Sequence, residues 1–437
     1  MRASTLAAAV SSVLALSTSS AAWSVQTLED FRFPESGVYP AYPASSAETG
    51  RNFHLYTYGG LYRDTNLFRL PESAGPQADS WRRLGVGLRA EVPVSRQRFM
   101  FDAQVDNNKF SNFSILDNTG TRLRGTWNWE LGNSLQGDLG ASRERAMAGF
   151  GQVQAITSNE ATQDRVFGSA NYMLSPSVRL RAAGNHVRYK SSDAARALFD
   201  NEQTDAIVGA DYVSGLQNSI GVQVRRSHGA FPNQQVTTTT GTTTTTTTIN
   251  SQYEETEPSV AVHYNIGGKS SLDGRFGYTK RTHDQLPARD YHGSTGNLIF
   301  HWSPTAKTLI DTTLFRETRP FVTSGIGAIL TSVDSTAAYV VARGIRFEPR
   351  WAVTDQVTLQ VQLLDERDTY KGDPTTAAIT SADREDRFRA GVIGAGWSPL
   401  RPLLLALSFE RGQRTSNIPG RDFKYDAVSL NARYTFF

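Results

Sequence analysis

Arginines recur at every second position in several short runs of this chain. Arg122 and Arg124 are separated by one residue, and so are Arg179 and Arg181. A guanidinium stays protonated and matches carboxylates and phosphates through two parallel hydrogen bonds, so a wall of such side chains can hold or steer anions. The charged candidates for such contacts occupy the polar positions of these runs: Arg83, Arg89, Asp102, Arg122, Arg124, Glu130, Arg179, Arg181, Arg225, Asp273, Arg275 and Arg433.

Motifs for catalysis fail when their surroundings are considered. GlyGlyLysSer at 267–270 resembles the tail of a phosphate-binding loop, but His263 stands where the first Gly is needed and no helical pattern follows. HisGlySerThrGly at 292–296 has His in place of the first Gly of a nucleophile elbow, and a strand pattern follows. The seven His are scattered and Cys is absent, which removes thiolate chemistry. We predict no catalytic residue, no metal site and no cofactor.

Composition narrows the class of protein. The chain has 437 residues, of which 39% are hydrophobic, and a formal net charge of +3. A soluble chain of this length usually carries a larger apolar share and divides into two or more domains, but no boundary is visible. The balanced charge argues against nucleic acid as a partner.

The N-terminal residues predict export. Arg2 precedes an apolar stretch at 6–16, and small residues at 20–22 satisfy the rule for signal-peptide cleavage. We predict a signal peptide at 1–22, a periplasmic leader or plug segment at 23–50, and a membrane domain at 51–437. No later stretch has the roughly 18 apolar residues that a transmembrane helix needs.

The candidate residues lie in strands. From residue 53 onward, apolar and polar residues alternate with a period of two, as in Leu84, Val86 and Leu88 against Arg83 and Arg89. Tight joints separate some of these runs, and longer polar segments separate the others. The tight joints fall at 92–95, 131–134, 175–177, 215–217, 267–269, 303–305, 354–356 and 398–400. The longer segments fall at 64–79, 146–163, 229–252, 318–337 and 368–384.

Short turns on one side and long loops on the other are typical of an outer-membrane barrel. We therefore predict an all-β fold, a transmembrane antiparallel β-barrel of about 18 strands with 16 as the fallback, in the bacterial outer membrane. The charged candidates would then face a water-filled lumen as pore-lining residues, and the outer-membrane lipid would contact the apolar face. Aromatic residues near strand ends are expected in the interfacial girdles: Tyr56, Tyr58, Tyr62, Trp127, Trp129, Tyr172, Trp302, Trp351, Trp397 and Tyr434.

The final residues predict how the barrel closes. Val428, Leu430, Tyr434 and Phe436 share one face of an alternating run. We expect this strand to pair with the first, and the terminal aromatic to serve as a mark for the assembly machinery; Phe437 falls on the opposite parity. The threonine tract at 237–248 has no apolar face, so we expect an exposed loop.

Four stretches resemble a known family. AspThrAsnLeuPheArgLeuPro at 64–71, SerArgGlnArgPheMetPheAspAlaGlnValAspAsnAsnLysPhe at 95–110, and SerIleLeuAspAsnThrGly with TrpAsnTrpGluLeuGly at 114–120 and 127–132 are similar to the EpsL-type outer-membrane family. That family is tied to exosortase-associated exopolysaccharide operons of Gram-negative bacteria, and the resemblance is strongest over 53–150. It implies a role in moving extracellular polysaccharide across the outer membrane, with polysaccharide export components of the periplasm or outer membrane as partners.

Other functions remain open. The first alternative is a general or solute-selective diffusion porin, and the second is a barrel enzyme that modifies polysaccharide or lipid. A structural role, anchoring an export complex through 23–50, is a third. The inward charges either contact a passing solute or merely neutralise each other across neighbouring strands.

Overall fold

The structure is a computed structural model, and it describes residues 52–148, 150, 156, 158–216, 218–240, 243–285, 287, 290–320, 339–371 and 384–436. The predicted signal peptide and the leader at 23–50 lie outside the described residues, as does Phe437.

Eighteen strands make up nearly all of the described chain. They are β1 Phe53–Asp64, β2 Asp79–Val94, β3 Gln97–Phe110, β4 Asn118–Leu131, β5 Leu135–Met147, β6 Glu160–Ser175, β7 Val178–Ser191, β8 Asn201–Val213, β9 Ser219–Thr240, β10 Thr243–Asn265, β11 Ser270–His283, β12 Tyr291–Thr305, β13 Thr308–Pro320, β14 Tyr339–Ala352, β15 Val357–Lys371, β16 Glu385–Leu400, β17 Leu403–Ser416 and β18 Phe423–Thr435. Short 3-10 helices lie at Glu72–Ala74, Ser114–Leu116, Ala194–Phe199 and Gly267–Lys269.

The strands form one closed antiparallel sheet. Each strand pairs with its neighbours in sequence, and β18 also pairs with β1, from Tyr56 opposite Thr435 to Asp64 opposite Ala427. Closure leaves no unpaired strand edge, which a sheet in hydrocarbon requires. The predicted 18-stranded barrel and the pairing of the last strand with the first are both confirmed.

Connections alternate between short and long around the barrel. The predicted tight joints join β2 to β3, β4 to β5 and so on to β16 and β17, all on one side. At three of them a strand runs further than expected, so that Pro93, Pro304 and Pro399 lie within β2, β12 and β16. The register shifts at the last two, between Trp302 and Thr305 and between Trp397 and Leu400. Proline has no N–H to donate, so a strand accommodates it at such an irregularity.

The prediction of a loop at the threonine tract is wrong, whereas Thr245, Thr247 and Thr248 are exposed as expected. The backbone continues β9 and β10 into a long hairpin, in which Thr237 lies opposite Thr246 and Thr240 opposite Thr243. Threonine has high strand propensity, and mutual pairing satisfies the backbone groups without an apolar face.

We expect the end of the β9–β10 hairpin, residues 237–246, to be dispensable for assembly of the barrel. Residues 237–240 pair only with residues 243–246. Joining Val236 to Thr247 through Asn-Gly, which favours a two-residue turn, therefore leaves every other strand pair of the described residues intact. The expected yield of heat-modifiable barrel on a gel is unchanged. A matched control keeps the length and replaces the threonines with serine. A severalfold lower yield for the shortened chain alone would contradict this prediction.

The outer face is an apolar belt. Leu84, Val208, Val222 and Ile393 are each between 61% and 66% exposed, and they alternate with polar residues that point to the other face. Large exposed apolar surface on a closed barrel requires lipid around it. The protein is therefore an outer-membrane β-barrel. Separately, no helix among the described residues is long and apolar enough to cross a membrane.

Three aromatics predicted for the interfacial girdles lie inside instead. Tyr56, Tyr58 and Tyr62 are all buried on the inner face of β1, and the rings of Tyr56 and Tyr58 lie over Gly87 and Gly85 of β2. Glycine is required there because any Cβ would collide with the rings. Others of the predicted set are exposed on the outer face: Trp127, Tyr172, Trp302, Trp351, Trp397 and Tyr434.

Candidate functional site

The inner wall of the barrel carries the charged residues. Side chains alternate between the two faces of a strand, so residues between the exposed apolar ones point inward. Arg83 and Arg89, for example, flank the exposed Leu84 and Leu88 of β2 at odd positions. All twelve predicted residues occupy inward positions by this rule, and their contact with a passing solute stays a prediction. They are Arg83 and Arg89 on β2, Asp102 on β3, Arg122, Arg124 and Glu130 on β4, Arg179 and Arg181 on β7, Arg225 on β9, Asp273 and Arg275 on β11, and Arg433 on β18.

Several inward arginines on β2 and β4 are neutralised across strands. Arg89 Nε donates to Asp102 Oδ2 at 3.1 Å, and Arg122 pairs with Glu144 of β5. Arg83 Nε donates to Asn108 Oδ1 at 2.8 Å and lies 3.5 Å from Asp106. In these pairs the charges neutralise each other across neighbouring strands, which is one of the two roles that the sequence left open for the inward charges.

Arg124 and Arg433 differ from these. In the described part of the chain, neither has a carboxylate within ion-pair distance. The Arg433 guanidinium lies 5.7 Å from the ring centroid of Tyr56, and that of Arg124 lies 5.8 Å from the ring centroid of Phe167. Arg124 is opposite Asp102 on β3, but that carboxylate is held by Arg89. The two arginines therefore add uncompensated positive charge on either side of the Arg89–Asp102 pair.

A second surplus of positive charge lies on β7. Arg179 Nη2 and Arg181 Nε both lie 2.8 Å from the same oxygen of Asp211 on β8. Two guanidinium groups thus share one carboxylate, so the group carries a net positive charge. Glu130, at the short-turn end of β4, is exposed and has no ion-pair partner among the described residues.

A balanced ion cluster lies on β8 to β11. Its six members are three carboxylates and three guanidinium groups: Asp205, Glu255, Glu257, Arg225, Arg275 and Arg281. Arg225 is the centre, since it contacts all three carboxylates, including Glu257 at 2.8 Å. Arg281 Nη2 lies 2.8 Å from Glu255 Oε2, and Arg275 pairs with Glu257. Equal numbers of opposite charges in close contact suit a structural role better than solute binding.

A row of imidazoles and carboxylates crosses β10 to β13. His263 Nδ1 lies 2.7 Å from Asp273, whose other oxygen is 3.4 Å from His301 Nε2, and His301 Nδ1 lies 2.6 Å from Asp311. Asp273, predicted to line the pore, is thus held between two imidazoles. Among the described residues, no group of three or more His, Cys, Asp or Glu is arranged to hold a metal ion.

The first long connection folds inward, and we call residues 65–70 the inward loop. The Arg69 guanidinium lies 3.4 Å from the ring centroid of Tyr425, on the inner face of β18, and also binds Asp64. Phe68 is fully buried in an apolar cluster that includes Tyr62 and Trp81 of the inner wall. The inward loop therefore narrows the barrel at the end that carries the long connections.

The sequence analysis identified some of the charged residues on the inner wall and missed others. Glu255, Glu257 and Arg281 were not among the candidates, because the residues beside them, Glu254, Thr256, Lys280 and Thr282, are also polar and give no apolar–polar alternation. The inward loop had no such signal, because Phe68 lies outside the alternating runs.

Comparisons with known proteins add little. No family model matches the chain, and no curated protein matches it. The crystal structure of Pseudomonas aeruginosa OccK2 (OpdF) is 10% identical, covers 88% of this chain and 98% of its own, and has a TM-score of 0.48. Pseudomonas aeruginosa OpdO and a BenF-like porin from Pseudomonas fluorescens are each 11% identical, with the same coverage of both chains and TM-scores of 0.47. Similarity this low assigns no function.

Proposed function

We propose that the protein is an outer-membrane channel that admits anionic solutes. The observation that carries the proposal is the uncompensated positive charge of Arg124 and Arg433 on the inner wall. The two arginines that share Asp211 add to it. No catalytic step is part of the proposal.

The proposal rests on the free energy of a charged group inside a water-filled lumen. A guanidinium cannot lose its proton at working pH, and a water-filled interior spares it the cost of burial in lipid. A barrel of this size leaves an aqueous interior unless loops or other segments fill it. An anion entering that interior is stabilised by each arginine that lacks a carboxylate of its own, whereas a cation is repelled.

The inward loop favours small solutes over polymers. It extends from the end of β1 to the inner face of β18, where Asn66 Nδ2 donates to the carbonyl of Lys424 at 2.9 Å. The inward loop is thus held on the inner wall where β1 pairs with β18, and there it narrows the path for a wide, hydrated polymer chain.

A second candidate is a conduit for an acidic exopolysaccharide. The family resemblance is strongest over residues 53–150, which include β1 to β5. These strands carry Arg83, Arg89, Arg122 and Arg124. The carboxylates of an acidic polymer would meet the same guanidinium groups as a small anion. This reading requires the inward loop to move aside during export.

Ion selectivity tests the proposal. We expect the purified protein in planar bilayers to prefer chloride over potassium, and the double variant Arg124→Glu, Arg433→Glu to lower that permeability ratio by a factor of about five, equivalent to ~1 kcal/mol. The control is Arg226→Glu, Arg411→Glu, which makes the same change in net charge on the outer face, where the two side chains are 73% and 74% exposed. Its selectivity should equal that of the parent.

The outcomes separate the two candidates. Equal selectivity of parent and inner-wall variant would overturn the anion channel. Rapid entry of small organic acids into proteoliposomes supports a solute channel. Accumulation of periplasmic polysaccharide after gene deletion, with no such entry, would favour export instead.

A further inference from the structure

Four arginines lie in one line across the outer surface of the barrel. Arg316 of β13 is directly opposite Arg343 of β14, which is opposite Arg367 of β15, which is opposite Arg387 of β16. Neighbouring strands lie about 4.8 Å apart, so the line spans roughly 14 Å. We call these four residues the arginine row.

The arginine row lies where the apolar belt ends. Residues at the same parity nearer the short turns are apolar and exposed, among them Leu314, Ile345 and Leu363. On the other side of the row, β13 ends at Pro320 and β14 begins at Tyr339, so the row is next to a long connection. Long connections of outer-membrane barrels lie outside the cell, which places the row at the head groups of the outer leaflet.

Like charges directly opposite one another destabilise a sheet, and this row is poorly compensated. The one acidic side chain in contact with it among the described residues is Asp365, which accepts from Arg387 Nε at 2.9 Å and lies 3.6 Å from Arg389. Arg316 Nε donates to the carbonyl of Ser294 at 2.9 Å, which leaves its charge uncancelled.

Some outward cations elsewhere on the barrel have a carboxylate within ion-pair distance. Arg143 lies 3.5 Å from Asp164, and Arg226 lies 3.4 Å from Glu254. The sequence could have supplied such partners on β13 to β16, but Arg343 and Arg367 have arginines on both neighbouring strands. An external anion is the remaining source of compensation.

We infer that the arginine row binds the phosphate groups of the phosphorylated glycolipid in the outer leaflet, lipid A. Guanidinium groups bind phosphate oxygens through paired hydrogen bonds, and a line of four can engage two phosphates while the acyl chains cover Leu314, Ile345 and Leu363 below. The inference depends on the outer-membrane location and is independent of what passes through the lumen.

Binding of lipid A to the full chain in detergent tests the inference. The variant Arg316→Gln, Arg343→Gln, Arg367→Gln removes three charges and keeps the Arg387–Asp365 pair. We expect its Kd for diphosphoryl lipid A to rise roughly tenfold or more, since a cation near an anionic lipid surface contributes on the order of a fivefold effect. The matched control, Arg143→Gln, Arg226→Gln, Arg411→Gln, removes three paired outward cations and should change Kd by less than about twofold.

Dephosphorylated lipid A distinguishes phosphate recognition from simple acyl-chain contact. The parent should bind it as weakly as the row variant binds the diphosphoryl form. Equal affinity of the parent for the two lipids, or equal loss in the row and control variants, would overturn the inference. Both variants are first compared for heat-modifiable mobility, and a row variant that fails to fold is replaced by the single change Arg343→Gln, for which a loss of about fivefold is expected.

Discussion

Replacing Arg225 with leucine is expected to lower the free energy of unfolding by about 3 kcal/mol, because removing one partner from a buried ion network leaves opposite charges uncompensated. Arg225 is the one member of the ion cluster that contacts Asp205, Glu255 and Glu257 together. Glu255 and Glu257 are both almost fully buried, so water cannot replace the lost guanidinium. Urea unfolding of the protein refolded into lipid vesicles, followed by tryptophan fluorescence, measures the change.

The next residue supplies the matched control. Arg226 points outward, is 73% exposed, and pairs with Glu254 at 3.4 Å. Exposed pairs contribute little, so Arg226→Leu should change the free energy of unfolding by less than about 1 kcal/mol. Adding Asp205→Asn to Arg225→Leu should restore part of the loss, because Arg225 is the guanidinium of the cluster that contacts Asp205, whereas Glu255 and Glu257 keep Arg281 and Arg275. Equal destabilisation by the two arginine substitutions would show that the cluster is not a structural core of the wall.

The facing of the charged candidates was predictable from the sequence, because a period of two divides a strand into two faces. Arg124, Arg181 and Arg433 are inward for that reason alone. The same rule does not give partners, since these depend on which residues the register brings opposite one another. Arg89 holds Asp102, for example, and thereby leaves Arg124 without a carboxylate.

Other features depend on contacts that no local pattern encodes. Tyr56 and Tyr58 near a strand end were expected at the lipid interface, but their hydroxyls donate to Gln104 and Asp106 of β3 on the inner wall, at 3.4 and 2.9 Å. The threonine tract was expected to be a loop because it lacks an apolar face. A hairpin that pairs with itself outside the membrane needs no such face.

The arginine row shows a further limit of sequence reasoning. Arg316, Arg343, Arg367 and Arg387 are far apart in the chain, and nothing in any one strand indicates that they align. Their alignment follows from the register of three successive hairpins. Compensation by lipid, and not by protein, would explain why the sequence tolerates it.

Removing the Phe68 side chain is expected to release the inward loop and widen the channel. Phe68 is fully buried and packs edge-on against Phe113 and Phe150, with ring centroids 4.8 and 4.9 Å away. Truncating such a residue to alanine costs about 3 kcal/mol or more. If that cost falls on docking of the loop, the undocked population rises roughly a hundredfold. Phe68→Ala should therefore show larger and more frequent openings in single-channel recordings.

The control for this prediction is Phe101→Ala, which makes the same chemical change on the outer face, where Phe101 is exposed to lipid. Its conductance should match that of the parent. Hydrogen exchange at residues 65–70 provides a second readout, because an undocked loop loses the hydrogen bonds that the backbone N–H groups of Thr65 and Leu67 donate to the carbonyls of Asp426 and Gln77. Faster exchange without a change in conductance would mean that the loop docks but does not limit the path. Unchanged exchange and unchanged conductance would mean that the contact between Arg69 and the Tyr425 ring is enough to hold the loop without Phe68. The double variant Phe68→Ala, Arg69→Ala would then be expected to open the channel.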